Sequence, residues 1–298
     1  MKKKIHNTPN ISSALTLSTQ IEKSLTYIRS KTKLQPDIAI ILGSGLGHFT
    51  NLLTDQISID TASIPYYPHL TVEGHRGQVV FGTIGNTTLL VFQGRVHCYE
   101  TGNIETTLYP IRIARALGIT TLIVTNAAGG VNENFQAGDL MLITDQINLT
   151  FENPLKDNEH RTRPTDPDKS GQSFVQVSNI ELYNRYLRDI ITKVAQEKSI
   201  DIQRGIYCGV LGPSYETAAE IEMIRRIGGE AVGMSTVNEV SLAVALGMRV
   251  AGVSCITNMA TGISSEKLSH AEVTKVASKV QQQFASLLTG AIQHMPKT

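Results

Sequence analysis

Ile38-Ala39-Ile40-Ile41-Leu42-Gly43-Ser44-Gly45-Leu46-Gly47 sets a run of apolar residues directly before a glycine turn. Because the run is apolar at every position rather than at alternate ones, it predicts a strand covered on both faces by helices. A buried strand feeding a glycine turn is where α/β proteins bind anions. Residues 78–84 and 87–93 flank Gly85-Asn86 and predict a hairpin, so the sheet has an antiparallel component. Helical periodicity at 12–30, 103–117, 180–198 and 217–227 alternates with strands at 121–124, 139–143, 205–211, 231–234 and 249–256. Thr217 with Glu220 and Thr236 with Glu239 have capping-box spacing and open two of the helices. A terminal helix carries Val276, Val280, Phe284, Leu287 and Ala291 on one face. Between Phe151 and Ser178 the chain is polar, rich in Pro, Asp and Arg, and aperiodic, which predicts a long loop. No break in composition and no repeat interrupts the alternation, so residues 1–298 read as one α/β domain.

With 298 residues, 41% of them hydrophobic, the chain can bury a full core. Its 27 basic and 26 acidic residues leave a formal charge of +1, which gives no field to hold nucleic acid or an anionic membrane. The expected partner is small. Cys98, Cys208 and Cys255 form neither a CxxC pair nor an even-numbered framework, which argues against a zinc knuckle and fits the cytoplasm. The basic start Met1-Lys2-Lys3-Lys4 is followed by no apolar segment, so residues 1–10 read as a solvated, flexible terminus rather than a signal.

Gln93-Gly94-Arg95-Val96-His97-Cys98-Tyr99-Glu100 surfaces from the strand at 87–93 and sets four polar groups at its exit. Arg95 offers a planar fork for an oxyanion. His97 and Tyr99, at alternate positions, share its side if the chain stays extended. That combination suits phosphate beside a sugar, although a surface pair of Arg95 with Glu100 is the plainer alternative here. Ser44 in its glycine turn and Ser235 at a helix start add hydroxyls, and the carboxyl ends of strands in open α/β sheets bring such loops together. Other classes fit less well. The third glycine of a dinucleotide fingerprint would fall on His48, and no G-x-S-x-G nucleophile elbow is present. His48, His69 and His160 read as surface or loop residues.

Leu42-Gly43-Ser44-Gly45-Leu46-Gly47, Val72-Glu73-Gly74-His75, the Gln93 to Glu100 stretch, Val124-Thr125-Asn126-Ala127-Ala128-Gly129-Gly130, Gly212-Pro213-Ser214-Tyr215-Glu216-Thr217, Val232-Gly233-Met234-Ser235-Thr236 and Ile256-Thr257-Asn258 occur in this order. Together they resemble the trimeric purine nucleoside phosphorylases, the family shared with methylthioadenosine phosphorylase. The resemblance implies a mixed, distorted sheet flanked by helices, assembled as a homotrimer with sites near subunit boundaries. It implies that Ser44, His75, Arg95, His97, the Ala127 backbone and Ser235 hold phosphate. Tyr99, Met234 and His270, with His97, would line the ribose. Tyr215, Glu216, Thr257 and Asn258 would meet the base, with Gly129 and Val232 completing that pocket. Asn258, Glu216 and His97 are the expected catalytic residues. Inorganic phosphate would be the co-substrate, with no cofactor and no metal.

The chemistry of those residues favours a 6-oxopurine. Glu216, acceptor-only when ionised, suits the N1–H edge, whereas Asn258 can accept from a protonated N7 and donate to O6. Methylthioadenosine enzymes carry aspartate where Asn258 stands. Tyr215 replaces the phenylalanine of mammalian members, which keeps a stacking ring. Asn238 replaces a proline common in the family, a change a first helical turn tolerates. The loop at 151–178 diverges, with Phe174 a weak candidate for the aromatic that a neighbouring subunit lends to the ribose. A nucleoside-binding module would need no phosphate set, and a nucleoside hydrolase would need a water-activating carboxylate or metal.

Overall fold

Every residue of β1 (Ile38–Leu42) is buried, and the strand lies between the two larger of three cores; the smallest packs Ile221 and Ile224 of α5 (Ala218–Arg226) with Cys208 and Val232. Ala39 and Ile41 pack among residues of α1 (Leu17–Lys31), α3 (Ile104–Ala116) and α6 (Val237–Ala245). Ile38, Ile40 and Leu42 pack among residues of α4 (Arg185–Glu197) and α7 (Gln281–His294) on the other face. Each fully buried aliphatic side chain contributes about 1.5–3 kcal/mol, so neither face of β1 can accept a polar residue cheaply. The computed structural model describes residues 15–71, 76–155, 181–263, 275–277 and 279–297. Residues 1–10, most of the loop at 151–178, and His75, His160, Phe174 and His270 lie outside them.

Eight further strands complete the sheet: β2 (Thr54–Asp60), β3 (Gln78–Ile84), β4 (Thr87–Gln93), β5 (Thr121–Gly130), β6 (Leu140–Leu149), β7 (Ile202–Val210), β8 (Ala231–Gly233) and β9 (Arg249–Met259). Their order among the described residues is β2-β3-β4-β1-β5-β8-β7-β6-β9. β1 runs parallel to β4 and β5, whereas β2, β3 and β4 form an antiparallel meander, so the sheet is mixed as expected. β5 also pairs with β9, and this closes β5, β8, β7, β6 and β9 into a distorted barrel. The closure sets the far ends of three strands side by side. Gly129 on β5 faces Val232 on β8 and Asn258 on β9.

Several elements differ from the sequence expectation. β5 does not end at residue 124 but runs to Gly130, paired throughout with a β9 that itself runs to Met259. Ala127, Ala128, Gly129 and Gly130 are small enough for the ladder to continue, with a register shift between Ala128 and Gly129. A Cβ on Gly130 would lie 2.9 Å from the Met259 sulfur. The strand expected at 139–143 likewise continues to Leu149. β2 gave no convincing signal because it is an edge strand in which Ile59 alone is buried. After His97 the chain turns into α2 (Cys98–Thr101), so the extended geometry expected for 95–99 stops at His97.

Candidate active site

The turn after β1 is built by what lies behind it. A Cβ on Gly43 would fall 2.6 Å from the Asn126 Cα, so only glycine lets β1 and β5 approach here. The Gly43 N–H donates to Thr125 Oγ1 at 3.0 Å, which makes it part of the scaffold rather than of an anion nest. Gln93 Nε2 donates to the Gly47 carbonyl (2.9 Å), and Gln281 Nε2 from α7 donates to the Gly45 carbonyl (3.1 Å). Ser44 is thereby presented from a turn tied to two other elements.

Arg95 reaches under this turn and is buried. Its Nη2 donates to the Thr125 carbonyl at 2.6 Å, and its Nη1 donates to Ser235 Oγ (2.8 Å) and Thr236 Oγ1 (3.1 Å). Glu239 Oε2 stands 3.5 Å from Nη1, with both side chains at most 2% exposed. Arg95 therefore does not pair with Glu100. That carboxylate accepts instead from the His97 backbone N–H (2.6 Å) and lies 3.0 Å from His97 Nδ1, with Thr71 hydrogen-bonded behind it. Burial pushes the Glu100 carboxyl up, but the hydrogen bonds from His97 and Thr71 outweigh it and bring it down to about 2. The His97 and Tyr99 rings stack, with centroids 5.1 Å apart and planes 15° from parallel. Tyr99 thus stays beside His97 although the strand has ended.

At the other end of the same site Asn258 Nδ2 donates to the Met259 carbonyl (3.3 Å), while Thr257 Oγ1 donates to Asn258 Oδ1 (3.1 Å). A carbonyl only accepts, so this pair of contacts sets which way the amide faces. A Cβ on Gly129 would lie 3.3 Å from Asn258 Nδ2 and 3.4 Å from Val232 Cγ1, which makes Gly129 a bare floor between two walls. Burial pushes the Glu216 carboxyl above its usual range; its own backbone N–H pulls the other way, and Glu220 adds to the rise. Burial and Glu216 also raise the Tyr215 phenol, whose ring is 45% exposed at the mouth.

One cavity of about 400 Å³ joins the two ends. Ser44, Arg95, His97, Tyr99, Ala127, Gly129, Tyr215, Glu216, Val232, Met234, Ser235, Thr257 and Asn258 all line it, which is every expected site residue within the described part of the chain. His75 and His270 lie outside that part. From Thr125, beside Arg95, to Gly129, beside Asn258, β5 rises about 13 Å, so the cationic end and the carboxylate–amide end are a nucleoside's length apart. The cavity also contains Asn126, Pro213 and Ala260, to which sequence reasoning gave no role. The supporting groups Thr125, Thr236 and Glu239 were likewise given no role in the site, and Glu100, expected among the four polar groups at the strand exit, was not expected to be the partner of His97. His97 and Glu100 form a capping box, and that spacing was the signal available for Glu100. The buried Cys208 and Cys255 thiols are pushed up to about 12, chiefly by burial, and neither serves as a nucleophile.

A pocket with an arginine–serine end and a carboxylate–amide end, where the mixed sheet closes on itself, is the arrangement of an α/β enzyme acting on a small polar substrate. The family model of the phosphorylase superfamily matches residues 37–293. Purine nucleoside phosphorylase 1 of Bacillus subtilis is 44% identical over 273 residues, covering 92% of this chain and 97% of the relative. The bovine purine nucleoside phosphorylase is 40% identical over 89% of this chain and 92% of its own. A crystal structure of Schistosoma mansoni purine nucleoside phosphorylase in complex with adenosine superposes with a TM-score of 0.84 at 34% identity, covering 94% of this chain and 98% of that one. The chain belongs to the phosphorylase superfamily and, within it, to the purine nucleoside phosphorylases.

Proposed function

We propose that this enzyme catalyses the reversible phosphorolysis of purine nucleosides, with 6-oxopurines such as inosine and guanosine, in ribose or 2′-deoxyribose form, as substrates. One observation carries the reading. Arg95, Ser44 and Ser235 share a single cavity with Glu216 and Asn258, so an oxyanion and a purine fit in one pocket.

The reaction follows from that placement. A phosphate oxygen attacks the anomeric carbon as the bond to purine N9 breaks, and the electron pair leaves with the base. The sugar gains oxocarbenium character between an anion and a base that is becoming negative, by analogy with glycoside cleavage. The departing base takes up a proton from solvent at N7, Asn258 Oδ1 accepts from the N7–H so formed, and Nδ2 donates to O6, so both bonds strengthen towards the transition state. Glu216 accepts from N1–H and holds the base in register. Met234 and the stacked His97 and Tyr99 face the sugar between them. This chemistry calls for no cofactor and no metal, since phosphate is itself the nucleophile.

We further propose a homotrimer in the cytoplasm. Phe151 supports assembly: its ring is 92% exposed, yet its turn is held by hydrogen bonds from Thr150 to Asn148 and from Asn148 to Asn238. Asn238, expected only as a tolerated substitution, is buried and ties α6 to this turn. Among the described residues no helix is long and apolar enough to cross a membrane.

Incubating the pure protein with inosine, with and without inorganic phosphate, tests the activity. Hypoxanthine release that depends on phosphate is expected; release without phosphate, or none at all, would overturn the proposal. Sedimentation velocity tests the assembly, with a trimer expected and a monomer the contrary outcome.

A further inference from the structure

Ser235 and Thr236 have a backbone that ordinary residues avoid. Thr236 sits at φ 75°, ψ −53°, and the Val237 N–H donates to the Ser235 carbonyl at 2.9 Å, closing a three-residue γ-turn of the rarer, strained hand. Asp55, Tyr66, Phe151 and Ser199 are the other non-glycine residues with positive φ among those described, and Thr236 alone of the five is β-branched. Such strain persists only where the surroundings over-determine it. Here they do. The Thr236 N–H donates to Glu239 Oε2 at 2.5 Å, and the residue is 1% exposed.

The hydrogen bonds around its hydroxyl have a definite polarity. Thr236 Oγ1 receives Arg95 Nη1 at 3.1 Å and Asn126 Nδ2 at 2.9 Å, and both of these groups can only donate. A hydroxyl oxygen has two lone pairs, so its acceptor capacity is full and its own proton must go elsewhere. Ser235 Oγ stands 3.1 Å away, and either atom is able to donate across that gap. With Thr236 as donor, Ser235 Oγ accepts twice, from Thr236 and from Arg95 Nη1 at 2.8 Å. Its remaining proton is then directed away from both, on the side where Ser235 lines the cavity. Tyr207 also stands close enough to Ser235 for that contact to hold its phenol down, but the contact lacks hydrogen-bond geometry and the buried hydroxyl has no geometric partner among the described residues.

We propose that Thr236 is a positioning residue that turns Ser235 into a committed hydrogen-bond donor for an anion at the phosphate end of the cavity. This inference rests on the phosphorolytic reading above. Arg95 then contributes in part through the two hydroxyls, since both N–H groups of Nη1 point at them.

Steady-state kinetics on Thr236→Val, Thr236→Ser and Thr236→Gly, with inosine and inorganic phosphate varied separately, tests it. Valine keeps the shape and removes the hydroxyl, so KM for phosphate should rise about tenfold or more while KM for inosine stays within about twofold. Serine restores the hydroxyl and should return KM for phosphate to within about threefold of the parent. Glycine accepts φ 75° without strain, so it provides a folded, hydroxyl-free variant even if valine fails to fold, and it should match the valine prediction. Wild-type activity that does not need phosphate would sink the phosphorolytic reading itself. Phosphate-dependent wild-type activity, with glycine or valine variants that keep the parental KM for phosphate, would sink only the role of Thr236. A serine variant as impaired as glycine, or equal losses in both KM values, would count against it in the same way.

Discussion

Glu100 Oε1 takes the His97 backbone N–H at 2.6 Å and lies 3.0 Å from Nδ1 of the same histidine. A carboxylate only accepts, so the His97 tautomer that pairs with it carries its proton on Nδ1, and the pair fixes the plane of the ring. Glu100→Gln keeps the shape and removes the charge; kcat should fall about tenfold, as for the loss of one charge-assisted hydrogen bond. An unchanged kcat with intact fold would remove Glu100 from the mechanism.

The same pair makes a stability prediction. The Glu100 carboxyl is lowered from 4.5 to about 2 on folding, so its contribution is fully present above the unfolded value and is lost as pH falls through the folded one. The difference in Tm between the parent and Glu100→Gln should therefore be constant near neutrality and shrink between pH 4.5 and pH 2. Thermal unfolding across that range reads it directly; a gap that widens on acidification contradicts the pairing.

Glu216 is shifted the opposite way. Burial is the largest cause and raises the carboxyl, so it takes up a proton at a higher pH than an ordinary glutamate. A protonated Glu216 cannot accept from N1–H in the same manner, and KM for inosine should rise as pH falls, beginning above the usual carboxylate range. On the stability side, a carboxyl raised by folding favours the fold below its unfolded value and loses that contribution as pH rises through the folded one. Glu216→Gln should flatten the acid limb of the KM profile. An acid limb that survives in that variant belongs to another group.

How much of this was legible in the sequence depended on whether a residue's reason for being there is local. The unbroken apolar run 38–42 announced a strand buried on both faces, and β1 is one. The glycine turn, the 93–100 stretch and the 212–217 and 232–236 blocks each contribute residues to the pocket. β2 was invisible because an edge strand with one buried residue carries no two-sided pattern. The extension of β5 to Gly130 was hidden because Ala-Ala-Gly-Gly looks like a turn until β9 is alongside it. The Thr236 N–H reaches the Glu239 carboxylate as the capping-box spacing predicts, but nothing local indicates that the cap residue is strained or that Arg95 joins the pair. Such groups are placed by tertiary contacts from residues far away in the chain.

The proposed 6-oxo preference rests on Asn258, whose amide is held by the Met259 carbonyl at 3.3 Å on its Nδ2 side and by Thr257 at 3.1 Å on its Oδ1 side. Asn258→Asp removes the donor to O6 and supplies an acceptor suited to a 6-amino group. Inosine should lose kcat/KM by about 1–3 kcal/mol, or roughly tenfold to a hundredfold, while the ratio of adenosine to inosine activity rises. Asn258→Ala, which supplies neither, should lower kcat much more than it weakens phosphate. Equal losses for both substrates in the aspartate variant would place base selection elsewhere, with Tyr215 the next residue to vary.

Gly129 offers a way to test whether the proposed base end and phosphate end of the cavity are independent. A methyl group there would meet Asn258 Nδ2 at 3.3 Å and Val232 Cγ1 at 3.4 Å, distances at which neighbours must give by a few tenths of an ångström. Both neighbours belong to the end of the cavity proposed for the base, and none of the three atoms nearest the added carbon, on Asn258, Val232 and Ala260, belongs to Arg95, Ser44 or Ser235. The backbone of Gly129 lies in a strand paired to β8 and β9, a conformation alanine adopts without strain, so the fold should tolerate the change. Gly129→Ala should therefore raise KM for inosine about tenfold by shallowing the slot for a flat base, with KM for phosphate within about twofold of the parent. Initial rates with each substrate varied in turn decide the matter. If the phosphate KM rises as much as the inosine KM, the two ends of the cavity are not independent, and the spacing of about 13 Å along β5 does not separate them as proposed.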